Sequence, residues 1–166
     1  MRLVDPILME LDQEAATTRR VLERLPEEKL SFRPHPKSMS LGQLALHVAT
    51  TPGGVAKLAS GEGLDSPPAF KQDEATSRQQ VLDALEASLA EARELVGAMD
   101  DARAMSTWSM SHGGQVIMAM PRVALLRAIM LNHWYHHRGQ LTVYMRLLDV
   151  PLPSVYGPTA DENPFG

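Results

Sequence analysis

Four stretches of the sequence repeat apolar residues every three or four positions, the period of one helix face, which commits the chain to helices packed on helices. Over 4–25 the repeat is Ile7, Leu11, Ala15, Thr18, Leu22 and Leu25, with Asp12, Arg19, Arg20, Glu23 and Arg24 mostly between them. Over 40–59 it is Leu41, Leu44, Ala45, Val48, Val55 and Leu58. Ser40 and Gln43 form the capping box that opens this helix, and Pro52-Gly53-Gly54 interrupts it, so a kink or an early stop is expected there. Over 78–99 the repeat returns as Val81, Leu82, Leu85, Leu89, Ala92, Leu95 and Met99. The fourth and most apolar helix runs from Pro121 to about Leu148, carrying Leu125, Leu126, Ile129, Met130, Leu141 and Val143.

The connections between the helices are long. SFRPHPKSMS, which ends at Ser40, holds two prolines and is extended; residues 61–77 are a loop by composition. Over 103–120, Trp108, Met110, Val116, Met118 and Met120 alternate with small or polar residues around Gly113-Gly114, which predicts a short hairpin. The tail from Pro151 has four prolines and is a loop that lies on the surface or covers something. With no repeats and no linker composition, residues 1–166 read as a single all-α domain, a four-helix bundle with long crossover loops.

The chain has no cysteine, which excludes disulfides, thiolate zinc sites, iron–sulfur clusters and cysteine nucleophiles, and leaves metal chemistry to histidine and carboxylate. A net charge of −4 offers no basic footprint for nucleic acid. Asp5, Glu10 and Asp12 break any signal-like apolar stretch, and no apolar run reaches the roughly 18 residues of a membrane span. The expectation is a cytoplasmic protein with neither membrane nor nucleic-acid partner.

Three of the six histidines fall within five residues of the fourth helix, in Asn132-His133-Trp134-Tyr135-His136-His137. His133 and His137 are one turn apart on a shared face, where two imidazoles converge on one ion; His133 and His136 are neighbours too, so spacing alone leaves the partner open. An apolar helix turns such histidines inward or into a cavity, where buried imidazoles need partners. His47, amid Leu44, Ala45, Leu46 and Val48, is placed by an antiparallel bundle opposite the pair. Three imidazoles with an open fourth position are the pattern of a catalytic divalent site rather than a structural one. The Glu of H-E-x-x-H peptidases and the Glu-x-x-His repeats of di-iron bundles are both absent.

Three segments together carry a resemblance: SFRPHPKSMSLGQLALHVA, NHWYHHRGQL and VPLPSVYGPTADE, in that order along the chain. They resemble the DinB-like (YfiT-like) metalloenzyme family, the damage-inducible helical family rather than the DNA polymerase sharing its name. The resemblance implies a four-helix bundle of non-sequential topology, often a homodimer, with a divalent ion, usually nickel or zinc, on three histidines. By position these are His47, His133 and His137, so the resemblance selects His137 over His136 and sends His136 toward an outer or dimer contact. It also implies a small-molecule substrate and, from characterised relatives, transfer or isomerisation using a low-molecular-weight thiol such as bacillithiol or mycothiol. The nucleophile would be metal-bound water or thiolate, giving thiol transfer or hydrolysis. The alternative is a non-enzymatic stress-response or binding protein with a structural or vestigial metal site.

Structural roles are expected for Gly139, in close helix approach, and for Gln140, in a hydrogen bond to a neighbouring helix; that of Arg138 is open. Trp108, Met110, Met118 and Met120 read as core filler before pocket lining. His112 reads as a turn residue and His35 as exposed. Tyr156 reaches toward the metal pocket or packs. Asp12 and Glu14, candidate carboxylates for a base or fourth ligand, read as a solvated face.

Overall fold

Helix α1 (Asp5–Leu22) opens with Pro6 in its first turn, where a missing N–H costs nothing, and buries Ile7, Leu11, Glu14, Ala15, Thr18, Val21 and Leu22. The computed structural model describes residues 1–69 and 73–165; residues 70–72 of the expected 61–77 loop lie outside the described residues. Helix α2 (Leu41–Ser60) starts at the capping box, with Gln43 N–H donating to Ser40 Oγ at 3.1 Å and Ser40 N–H to Gln43 Oε1 at 3.0 Å. Pro52 does not stop α2, because groups around it are bonded by side chains. Thr51 Oγ1–H donates to the His47 carbonyl at 2.6 Å, Gly53 N–H to Ser88 Oγ at 2.8 Å, and Trp134 Nε1–H to the Val48 carbonyl at 2.8 Å.

Helix α3 (Arg78–Gly97) is capped by Ser77, whose Oγ accepts from Gln80 N–H. It packs on α2 closely enough that a Cβ at Gly53 would lie 2.9 Å from the Ser88 carbonyl oxygen. A short helix α4 (Asp101–Met105), unforeseen from the sequence, leads into the expected hairpin of β1 (Thr107–His112) and β2 (Gln115–Pro121). The strands pair antiparallel, Trp108 opposite Met120 and Met110 opposite Met118. Gly113 and Gly114 turn between them at φ of 58° and 79°, which glycine adopts without strain. Arg122, 2% exposed, fastens the hairpin to the end of α2 by donating to the carbonyls of Ala59, Gly61 and Thr107.

The fourth helix is continuous but not α-helical throughout. Helix α5 (Arg122–Leu125) passes into a π-helical stretch, Leu126–Asn132, and then into α6 (His133–Arg146). This corrects the expectation of one regular helix and also its apolar stripe, since Val143 is 59% exposed. Around the bundle α1 packs against α3 and α6, and α2 against α3 and α6, so the consecutive α1 and α2 sit diagonally. Long crossovers are what that order requires. The tail lies along α1 and α6, held by Arg24 to Glu162, by Arg20 to the Ser154 carbonyl and by Arg146 to Asp161. Among the described residues no helix is long and apolar enough to cross a membrane.

Candidate metal centre

The π-helical stretch sets the phase of everything after it. Leu125 and Leu126 are buried, and so are Met130 and Leu131 five positions later, the spacing of a π turn rather than an α turn. From there Trp134, Arg138, Leu141 and Met145 continue the buried stripe at α-helical spacing. His133 and His137 fall to one side of that stripe and face α2, where His47 meets them.

The three imidazoles close on one another. Ligand nitrogens of His47, His133 and His137 all lie within 4.8 Å of each other. His47 Nε2 and His133 Nε2 are 3.0 Å apart. Two nitrogens bound to one ion at about 2.0–2.1 Å each lie roughly 3.0–3.4 Å from one another, so this spacing suits lone pairs converging on a shared point. Ring centroids are 4.3–5.2 Å apart with the planes at 78–86°, so the rings do not stack. His137 Nδ1–H donates to Gln140 Oε1 at 2.7 Å, which fixes the tautomer and leaves Nε2 as the donor atom. Gln140 therefore bonds within its own helix instead of to a neighbour. A Cβ at Gly139 would meet nothing within 4 Å, so close helix approach is not the reason for that glycine.

Burial shifts all three rings toward the neutral form. Burial lowers the pKa of His47 to about 4, with His137 and His133 adding to the effect. Burial also lowers His133, helped by His136, and it lowers His137, where the Gln140 hydrogen bond pulls the other way. Neutral imidazole is the form that binds a metal, so the donor set fits a divalent cation near neutral pH. His136 is exposed and stands outside the group, its ring 4.9 Å from that of His137. A cavity of about 200 Å³ opens beside His47 and His133, lined further by Thr50, Thr51, Gly54, Val55 and Ile129.

The opposite side of α6 holds a second polar group. Arg138 is buried and donates to Glu14 Oε2 at 2.6 Å, Thr18 Oγ1 at 3.0 Å and Tyr156 Oη at 2.6 Å. The Tyr156 hydroxyl donates in turn to Glu14 Oε2 at 2.9 Å. Glu14 is thus an interior residue, 5% exposed, and the solvated-face expectation is corrected; Asp12 does lie on that face, paired with Arg93. Tyr156 packs here, its ring 6.4 Å from that of Tyr135, and has no described contact with the histidines. Tyr135 O–H donates to Glu10 at 2.9 Å, and burial, with Glu10 adding, pushes its phenol far above the ordinary range. The sequence reading missed this cluster, although Glu14 sits three positions after Leu11 and four before Thr18 and so falls on the apolar repeat.

The remaining candidates do not reach the cavity. Trp108 is core, 2% exposed, with no hydrogen-bond partner for its Nε1 among the described residues, and Met110, Met118 and Met120 pack partly buried on the core. His112 ends β1 beside the turn, and His35 is exposed.

With this arrangement in hand, the DinB family model matches residues 3–163. The chain belongs to the DinB family. It is 30% identical over 161 residues to the uncharacterized protein YrdA of Bacillus subtilis, covering 96% of this chain and 91% of that one. Its fold is similar to that of a DinB-like protein from Bacillus cereus, with a TM-score of 0.72, 25% identity, and coverage of 92% and 97% of the two chains. It is also similar to YfiT from Bacillus subtilis, described as "a probable metal-dependent hydrolase with an unusual four-helix bundle topology", with a TM-score of 0.64, 16% identity and 88% and 87% coverage. The diagonal placement of α1 and α2 in this DinB chain makes its own bundle order non-sequential, as the resemblance implies.

Proposed function

We propose that this DinB-family chain is a metal-dependent enzyme in which His47, His133 and His137 hold a divalent ion, nickel or zinc, with a coordination position open toward the adjoining cavity. The observation that carries the reading is the convergence of three imidazoles within 4.8 Å, with no fourth His, Asp or Glu in the group among the described residues. A bound ion would supply Lewis acidity, making a nucleophile of water or of a low-molecular-weight thiol near neutral pH.

The chain's own residues do the rest. Gln140 holds His137 in the right tautomer. Val55 and Ile129 give one side of the cavity an apolar surface, and its size suits a small molecule. No carboxylate lines it among the described residues, so a nucleophile needing no protein base is favoured. A thiol such as bacillithiol or mycothiol, ionised by coordination, meets that condition, and thiol transfer is the first reading. Hydrolysis is the second, supported by the description of YfiT. We include a homodimer in the proposal: Val143 and Leu147, each 59% exposed and one turn apart on α6, offer an apolar strip to a second copy.

The test is elemental analysis of protein purified without a metal-affinity tag, beside His133→Ala. About one nickel or zinc per chain, lost in the variant, supports the site and directs screening to thiol transfer and hydrolysis. Equal metal content in both proteins refutes it.

A further inference from the structure

Pro52 removes one amide N–H from the middle of α2, and the carbonyl four residues before it, that of Val48, loses its helical donor. The indole of Trp134 takes that place, its Nε1–H reaching the Val48 oxygen at 2.8 Å in a fully buried contact. Val48 is the residue after His47, and Trp134 is the residue after His133. One hydrogen bond therefore joins the immediate neighbours of the two histidines whose Nε2 atoms stand 3.0 Å apart. In a regular helix the amide of residue 52 would already satisfy the Val48 carbonyl, and the indole would be a second donor to it rather than its replacement.

We propose that the Pro52–Val48–Trp134 tie is a positioning device that presets the spacing of the α2 and α6 ligands before metal arrives. The turn around Pro52 is held on its other sides as well. Thr51 Oγ1 bonds the His47 carbonyl, and Gly53 N–H bonds Ser88 on α3, so α2 is fixed against rotation where His47 projects. The tie is the one of these bonds that crosses from α2 to α6. It makes Trp134 and Pro52 positioning residues rather than ligands, and it rests on the reading that the three histidines hold an ion.

Cobalt(II) titration with visible absorption, alongside melting of the metal-free protein, tests this on the full chain. Trp134→Phe leaves the Val48 carbonyl buried without a partner, so melting falls and cobalt affinity drops about tenfold or more. Adding Pro52→Ala to Trp134→Phe returns an amide to that carbonyl. The double variant is expected to regain melting temperature while its cobalt affinity stays low and its absorption band stays displaced from wild type. Affinity that recovers together with stability, or that never fell in Trp134→Phe, would make Trp134 a core residue only and overturn the proposal. A wild-type protein that takes up no cobalt, nickel or zinc would instead remove the metal reading itself, and this inference with it.

Discussion

The carboxylate of Glu14 on α1 and the guanidinium of Arg138 on α6 meet at 2.6 Å with side chains only 7% and 2% exposed. Both charges have been taken almost wholly out of water, and the Thr18 and Tyr156 hydroxyls add hydrogen bonds to the pair. Arg138 directly follows His137, so this pair fixes α6 against α1 on the side away from the metal centre.

Removing one partner leaves the other buried and uncompensated. Glu14→Ala is expected to cost about 3–5 kcal/mol in urea denaturation, and replacing both residues by apolar ones of similar volume to cost less than either single change. Additive losses in the double variant would mean that the two charges are not coupled.

Gln140 touches His137 from the solvent side. Gln140→Ala should weaken zinc binding about 10–100-fold in a competition titration while leaving the melting of the metal-free protein nearly unchanged. An unaltered zinc affinity would show that His137 needs no help to orient.

Stability of the metal-free protein should depend on pH through His47. Its ring titrates at about 4 in the fold, against 6.5 as the ordinary value, so between those values the unfolded chain binds the extra proton. The contribution is complete above 6.5 and is lost as pH falls toward 4. Calorimetry with chelator present should show melting decline from pH 7 to pH 5, and His47→Leu should flatten part of that slope.

Two adjacent glycines separate packing from propensity. Gly53→Ala pushes a methyl into the Ser88 backbone at 2.9–3.0 Å and should cost about 1–3 kcal/mol. Gly54→Ala meets nothing within 4 Å and should stabilise by about 0.5–1 kcal/mol. Thermal melts of the two variants should move in opposite directions.

Much of this was legible in the residues. Period and caps placed four helices, Gly113-Gly114 placed the hairpin, and one-turn spacing put His133 and His137 on one face. The choice of His137 over His136 came from resemblance, because spacing admits both. The interior charge was misread because Glu14 was weighed together with Asp12, a pair whose spacing gives no shared face with another candidate, rather than on the Leu11–Thr18 repeat where it falls. The π-helical stretch was missed because a period of 3.6 was assumed throughout, although Leu125-Leu126 and Met130-Leu131 repeat at five. Pro52 was read as a break, since the donor that replaces its amide comes from a helix 82 positions away, beyond any local rule.

The Glu14–Arg138 pair also bears on how the chain is made. A ribosome delivers Glu14 first, then Arg138 and Tyr156, 124 and 142 positions later, a wait on the order of ten seconds. Until then α1 cannot dock its apolar stripe without desolvating a lone carboxylate. Helix α1, made well before its partners, is therefore among the last to be seated, and a nascent chain halted before Arg138 leaves Ile7, Leu11 and Leu22 open to a chaperone.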